Sequence, residues 1–85
     1  MKIITTKPFD RDYAALPNKI KTLTDQKLRL LLHNPRHPSL QIKKMNDPRN
    51  IWEGRITESY RFTFQIMQDT YLLRRIGTHD VLKTP

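Results

Sequence analysis

The chain has no cysteine among its 85 residues. That excludes a disulfide framework and thiolate chemistry, and it suits a reducing cytosol. No apolar run is long enough to span a bilayer, and the apolar part of the opening segment MKIITTKPF is too short for a signal peptide. Acidic residues are scarce: eight Asp and Glu stand against sixteen Lys and Arg, a formal charge of +8. So basic a small surface favours a phosphate backbone, an anionic membrane surface or an acidic protein partner. There is no internal repeat, low-complexity tract or linker, so residues 1–85 are expected to form a single domain. Hydrophobic residues make up only 36 % of the chain, yet they recur with clear periods, which argues for a folded protein.

Lys2 to Thr6 is short and β-branched and reads as an opening strand, ended by Pro8. Apolar residues then recur at Phe9, Tyr13, Leu16, Ile20 and Leu23, a helical stripe. Pro17 divides this region into a helix over Asp10 to Leu16 and a longer one over Pro17 to His33. Ile20 and Leu23 are expected to face a sheet. Lys19, Lys21, Lys27 and Arg29 lie on the outer face, with Thr24 and Asp25 also exposed. After Asn34-Pro35, Ser39 to Ile42 adds a few extended residues before the Lys43-Lys44 pair and an Asn46-Asp47-Pro48 turn.

From Ile51 to Ile66 the residues alternate. Trp52, Gly54, Ile56, Tyr60, Phe62, Phe64 and Ile66 share one face; Glu53, Arg55, Arg61, Thr63 and Gln65 share the other. Thr57-Glu58-Ser59 is the place for a reversal, and Gln68-Asp69-Thr70 turns into a third strand over Tyr71 to Thr78. There the doublets Leu72-Leu73 and Arg74-Arg75 break the alternation, which predicts a bulge and leaves the faces of the two arginines open. Trp52 and Phe62 share parity with Ile56 and Phe64, so they read as core rather than as a base-stacking platform. The sum is an α+β domain: an N-terminal strand, a helical hairpin and a three-stranded antiparallel meander, with the helices packed on one face of the sheet.

Two accounts compete for the polar face. Arg61 forms a cross-strand ion pair with Glu53 or Glu58, or it offers a fixed fork to phosphate oxygens. His79 follows Gly77 at the end of a strand beside that face, where a histidine suits acid–base chemistry on phosphate. His33 and His37 read as a helix-end charge and a loop residue. No His-x-x-His or carboxylate spacing marks a metal site.

The segments HNPRHPSLQIKKM, IWEGRITESYRFTFQI and LLRRIGTHDVL resemble the RelE/ParE superfamily of type II toxin–antitoxin toxins. The resemblance covers nearly the whole chain and is most specific from Trp52 to Phe62 and from Ile76 to Asp80. It implies an antiparallel sheet with two helices on one face. For the RNA-cutting branch it implies a ribosome-dependent mRNA endonuclease that uses the RNA's own 2′-hydroxyl, with no metal or other cofactor. By this resemblance Arg61 binds phosphate and His79 is the basic or acid–base residue after the last strand. Glu53 and Arg55 fall where several members carry two lysines, and related members use a carboxylate as base. Lys43 and Lys44 fall on the RNA-binding basic stretch. Many active members carry a tyrosine in the tail; Val81 to Pro85 has none. The implied partners are an acidic antitoxin, in a hetero-oligomer, and the ribosome with its mRNA, in the cytoplasm and not at a membrane. Gyrase-inhibiting members share the fold without the RNA-cutting set. A non-enzymatic gyrase inhibitor and an antitoxin-binding domain with decayed activity therefore stand as alternatives, and the choice of Glu53 or His79 as general base stays open.

Overall fold

The alternating segment folds as a hairpin. In the computed structural model, which describes residues 1–85, β3 (Trp52–Arg55) and β4 (Tyr60–Met67) pair antiparallel across the turn at Thr57–Ser59. The remaining elements are β1 (Lys2–Thr5), α1 (Lys7–Ala14), α2 (Asn18–His33), β2 (Lys43–Lys44) and β5 (Thr70–Thr78). Two 3-10 turns, Pro38–Leu40 and His79–Leu82, complete the chain. The sheet order is β1-β5-β4-β3-β2, and all pairs are antiparallel except β1 with β5. The expected meander is thus the centre of a five-stranded mixed sheet. Parallel pairing of β1 and β5 needs a long crossover, and the helical hairpin begins it.

Three local expectations are corrected. Pro8 does not merely end the strand; it sits in the first turn of α1, where its missing N–H is harmless, so the helix begins at Lys7 rather than Asp10. Thr6 caps that helix: its hydroxyl accepts from the Phe9 N–H and donates to the Leu73 carbonyl at 2.9 Å, tying α1 to β5. Ser39 is not extended, because His37 Nδ1 accepts from the Ser39 N–H at 3.1 Å and closes a 3-10 turn. The extended residues are instead Lys43 and Lys44, whose two-residue strand carries no apolar pattern to announce it.

The apolar face is the core face. Phe62, Phe64, Leu73 and Ile76 are buried against Phe9, Leu16, Leu31 and Leu40, with the Phe62 and Phe64 rings stacked at 5.5 Å. Each such side chain stabilises the fold by about 1.5–3 kcal/mol. Phe62 can lie flat on the sheet because its cross-strand partner is Gly54; a Cβ there would sit 2.4 Å from the Phe62 ring. On α2 the fully buried residues are Thr24 and Leu31, while Ile20 and Leu23 are half-buried against the same core. The buried stripe runs 20–24–28–31, so Thr24 takes the place expected to be outward and Leu23 is at its margin. Asp25 is exposed as expected and accepts from the Tyr13 hydroxyl at 2.7 Å, joining the two helices.

The bulge lies where the doublets put it. Thr63 pairs with Arg75 and Phe64 with Leu73, leaving Arg74 without a partner. Both arginines turn to the polar face, where Arg74 Nε donates to the Pro85 carbonyl at 3.1 Å and Arg75 Nη1 to the Thr84 carbonyl at 3.2 Å. Beyond Leu73, β5 has no strand on its outer edge, and Asp12 of α1 substitutes for one. Its carboxylate accepts from the Ile76 N–H at 3.2 Å and from Arg75 Nε at 2.6 Å.

Candidate functional site

The polar face is covered rather than open. After β5 the chain folds back, and the Thr63 hydroxyl, fully buried, donates to the Pro85 carbonyl at 3.2 Å. Gly77 permits this return. It lies in β5 opposite Arg61, and a Cβ on it would stand 2.9 Å from Val81 Cγ1. Gly77 lies within the strand, which runs on to Thr78; it lets the 3-10 turn pack on it, and that turn delivers His79 beside Arg61.

Two adjoining pockets result, and Arg61 and His79 line both. One, of about 710 Å³, is also lined by Arg55, Glu58, Ser59, Thr78 and Asp80. The other, of about 460 Å³, is also lined by Gln41, Ile42, Lys43, Glu53 and Leu82. Five of the six residues singled out from the sequence thus share one place. Lys44 lines neither pocket: it pairs with Trp52, one residue out of phase with Lys43, so it belongs to the opposite face of β2. Gln41, Ser59, Thr78 and Leu82 were not singled out, and no local pattern marks them.

The turn fixes the arginines. A reversal centred on Glu58 pairs residues symmetric about it, so Arg55 and Arg61 stand directly opposite on one rung. Like charges so placed repel. Neither guanidinium has a carboxylate partner: of the four ion pairs in the chain, none includes Arg55 or Arg61. Arg61 Nη1 instead donates to the carbonyls of Thr57, Glu58 (2.7 Å) and Tyr60 (3.2 Å). Three carbonyls of the turn therefore hold the half-buried Arg61, and its Nε and Nη2 have no protein acceptor. The ion pair of Arg61 with Glu53 or Glu58 does not form. Glu53, only 9 % exposed, is paired across the strands with Lys43 at 3.6 Å.

The arrangement holds two unpaired guanidinium groups on one rung, a carboxylate two rungs away on the same face and an exposed imidazole at the junction. It can receive an anion and exchange protons with it. No three His, Asp or Glu side chains converge as a metal-binding group.

No protein-family model matches the chain, and no curated protein matches it. Solved structures do. YafQ from E. coli strain BL21(DE3) superposes with a TM-score of 0.78 at 14 % identity over 94 % of each chain. The YoeB/ParE toxin from Agrobacterium tumefaciens gives 0.77 at 16 % identity, over 93 % of this chain and 99 % of the other. The toxin–antitoxin complex RelB–RelE from Methanococcus jannaschii gives 0.76 at 20 % identity over 95 % of each. Two helices on one face of this five-stranded sheet are thus the fold of the RelE-like toxins, as the resemblance implied.

Proposed function

We propose that this chain is the toxin of a type II toxin–antitoxin pair and acts as a ribosome-dependent mRNA endonuclease. The observation that carries the proposal is the Arg55–Arg61 rung: two opposed guanidinium groups, with no protein carboxylate between them, beside His79 and Glu53. A scissile phosphate placed on that rung relieves the repulsion and accepts from the free nitrogens of Arg61. The RNA's 2′-hydroxyl attacks the adjacent phosphorus as a base removes its proton. The bond to the 5′-oxygen then breaks and an acid protonates that oxygen, leaving a 2′,3′-cyclic phosphate and a 5′-hydroxyl. Glu53 and His79 are the two proton-transfer groups. Arg61 and Arg55 stabilise the added negative charge of the pentacoordinate phosphorane, and Lys43 at the pocket mouth meets the RNA backbone.

The partner in this proposal is an acidic antitoxin, hetero-oligomeric with the chain. The fold's occurrence in the RelB–RelE antitoxin–toxin complex supports this, and so does the net charge of +8. The test is expression of wild type, Arg61→Ala and Arg61→Lys, with primer extension on cellular mRNA and a plasmid supercoiling assay on the same cells. Loss of one preorganised charged donor costs about 2.7–4 kcal/mol, a hundredfold or more in cleavage. Arg61→Lys recovers little of it, since an ammonium cannot reproduce the fork. Wild-type cleavage by Arg61→Ala, or altered supercoiling without new mRNA ends, refutes the proposal; the second result favours gyrase inhibition.

A further inference from the structure

Of the two proton-transfer groups, His79 is the one that no side chain holds. Its imidazole is exposed and has neither a hydrogen bond nor an ion pair, whereas Glu53 is buried and paired with Lys43. The place of His79 is therefore set by the backbone of the 3-10 turn His79–Leu82. That turn is short, and Thr78 at its start makes no capping hydrogen bond with its side chain. Its two ends have to be fixed from elsewhere in the fold.

Asp12 reaches both ends. Ahead of the turn, β1 stops pairing at Leu73, so β5 has no strand on its outer edge from Arg74 onward. The buried Ile76 would leave its N–H without a partner there, and the Asp12 carboxylate accepts from it at 3.2 Å. Beyond the turn, Arg75 holds Thr84: its Nη1 donates to the Thr84 carbonyl at 3.2 Å and to the Thr84 hydroxyl at 3.1 Å. The same guanidinium donates from Nε and Nη2 to Asp12 at 2.6 and 3.3 Å. One carboxylate on α1 thus fixes the strand that enters the turn and, through Arg75, the chain that leaves it. Local preference does not account for an aspartate at this position. Asp12 lies in the last turn of α1, where the negative end of the helix dipole opposes a carboxylate. Nor is this a loose surface pair like that of Lys83 with Asp80 at 3.8 Å, since Asp12 and Arg75 are both half-buried.

We propose that Asp12 is a positioning residue for the cleavage reaction: through the Ile76 N–H and through Arg75 it holds the turn that brings His79 to the pocket. The proposal rests on the RNA-cutting reading, in which His79 moves a proton. Asp12 lines neither of the pockets that Arg61 and His79 share, so it acts on the reaction only through the turn. A proton-transfer group must stand within hydrogen-bond reach of the proton it moves. A misplacement of about 1 Å can cost about a hundredfold in rate. Loss of Asp12 therefore lowers the rate of the bound complex and leaves RNA binding alone.

The experiment measures kcat and KM for cleavage of a defined mRNA on programmed ribosomes, and the NMR signals of His79 in the same purified variants. Asp12→Asn keeps the size of the side chain but replaces one acceptor oxygen with a donor that cannot take the Arg75 fork. It should lower kcat by roughly ten- to a hundredfold with KM unchanged. Arg75→Lys keeps the charge and loses the fork; it should give the same split, and it carries the test where Asp12→Asn fails to fold. In the His79→Ala protein, Asp12→Asn should cost nothing further, because the group it positions is gone. In Asp12→Asn the His79 ring signals should move. The Lys83 N–H, bonded to the Asp80 carbonyl at 3.1 Å, should exchange faster relative to the Leu31 N–H of α2. Wild-type kcat in both variants overturns the proposal, and so do unmoved His79 signals. An equal loss of kcat in the His79→Ala background also overturns it, because that result marks general destabilisation. Absence of cleavage by the wild-type protein is a different failure: it removes the RNA-cutting reading, and the role of Asp12 in catalysis with it.

Discussion

Gly77 offers the sharpest test of how the fold positions the site. A Cβ there would meet one atom within 4 Å, Val81 Cγ1, at 2.9 Å. Ordinary carbon contact is about 3.5–4.0 Å, so Gly77→Ala must push the 3-10 turn off β5 by several tenths of an ångström or more. The backbone itself does not forbid alanine, because neither glycine has a positive φ. Alanine should even recover about 0.4–1 kcal/mol by restricting the unfolded chain. Overpacking opposes this with about 1–3 kcal/mol, so the net loss should be modest, about 0–2.5 kcal/mol. Under the proposed function, cleavage should fall much further, because the displaced turn carries His79. Val81→Ala removes the clashing atom together with a second buried methyl, at about 0.8 kcal/mol per group. In the double variant the clash is gone, so its loss should be smaller than the sum of the two singles by about 0.5–3 kcal/mol. Urea unfolding of the four proteins measures the coupling, and a growth-inhibition assay follows His79. Additive stabilities, or full toxicity of Gly77→Ala, would refute the claim that Gly77 places the turn.

Leu31 is fully buried on α2 and Leu23 only half-buried. Leu31→Ala should therefore cost about 2–5 kcal/mol in urea unfolding and Leu23→Ala distinctly less; equal losses would show that the buried stripe is misplaced. Asp47 is held at about 2, below its ordinary 3.8, first by the side-chain bonds from Arg49 and then by the Arg49 N–H. Because the folded value is depressed, its contribution to stability is full above the ordinary value and is lost as pH falls toward 2. An NMR titration should place the Asp47 carboxyl midpoint near 2 in the wild type and distinctly higher in Arg49→Ala, though still below the ordinary value because the backbone N–H at position 49 remains.

Much of the fold was legible because it rests on short periods. The alternation over 51–66 gives both faces, and the turn at Glu58 then sets every β3–β4 pair, including the opposed arginines. The two doublets give the bulge. What could not be read depends on contacts between distant residues. Thr63 is an odd-parity polar residue that is wholly buried, and only the return of the tail, twenty-two residues on, explains it. Thr24 looks like an ordinary outward helix residue, and tertiary packing alone places it in the stripe. Pro8 was ambiguous in principle, since the same ring that ends a strand favours the first turn of a helix.

The same distinction separates Arg61 from Arg74. Arg61 stood out because its face followed from parity, and its neighbours Arg55 and Glu53 were zero and two rungs of counting away. Arg74 could not be placed, because a bulge suspends parity at the very residue it ejects. Its partners are a glutamine on the adjacent strand and a carbonyl eleven residues on, neither of which a charge pattern reveals. Neutral carbonyls of the turn hold part of the Arg61 guanidinium, and no carboxylate side chain cancels its charge. The ion pairs of Arg49 and Arg75 are the contrast within the chain, since there carboxylates complete the fork and each pair is closed. A cation fixed by neutral groups keeps its attraction for an incoming anion, whereas one fixed by a carboxylate has already spent it on the fold.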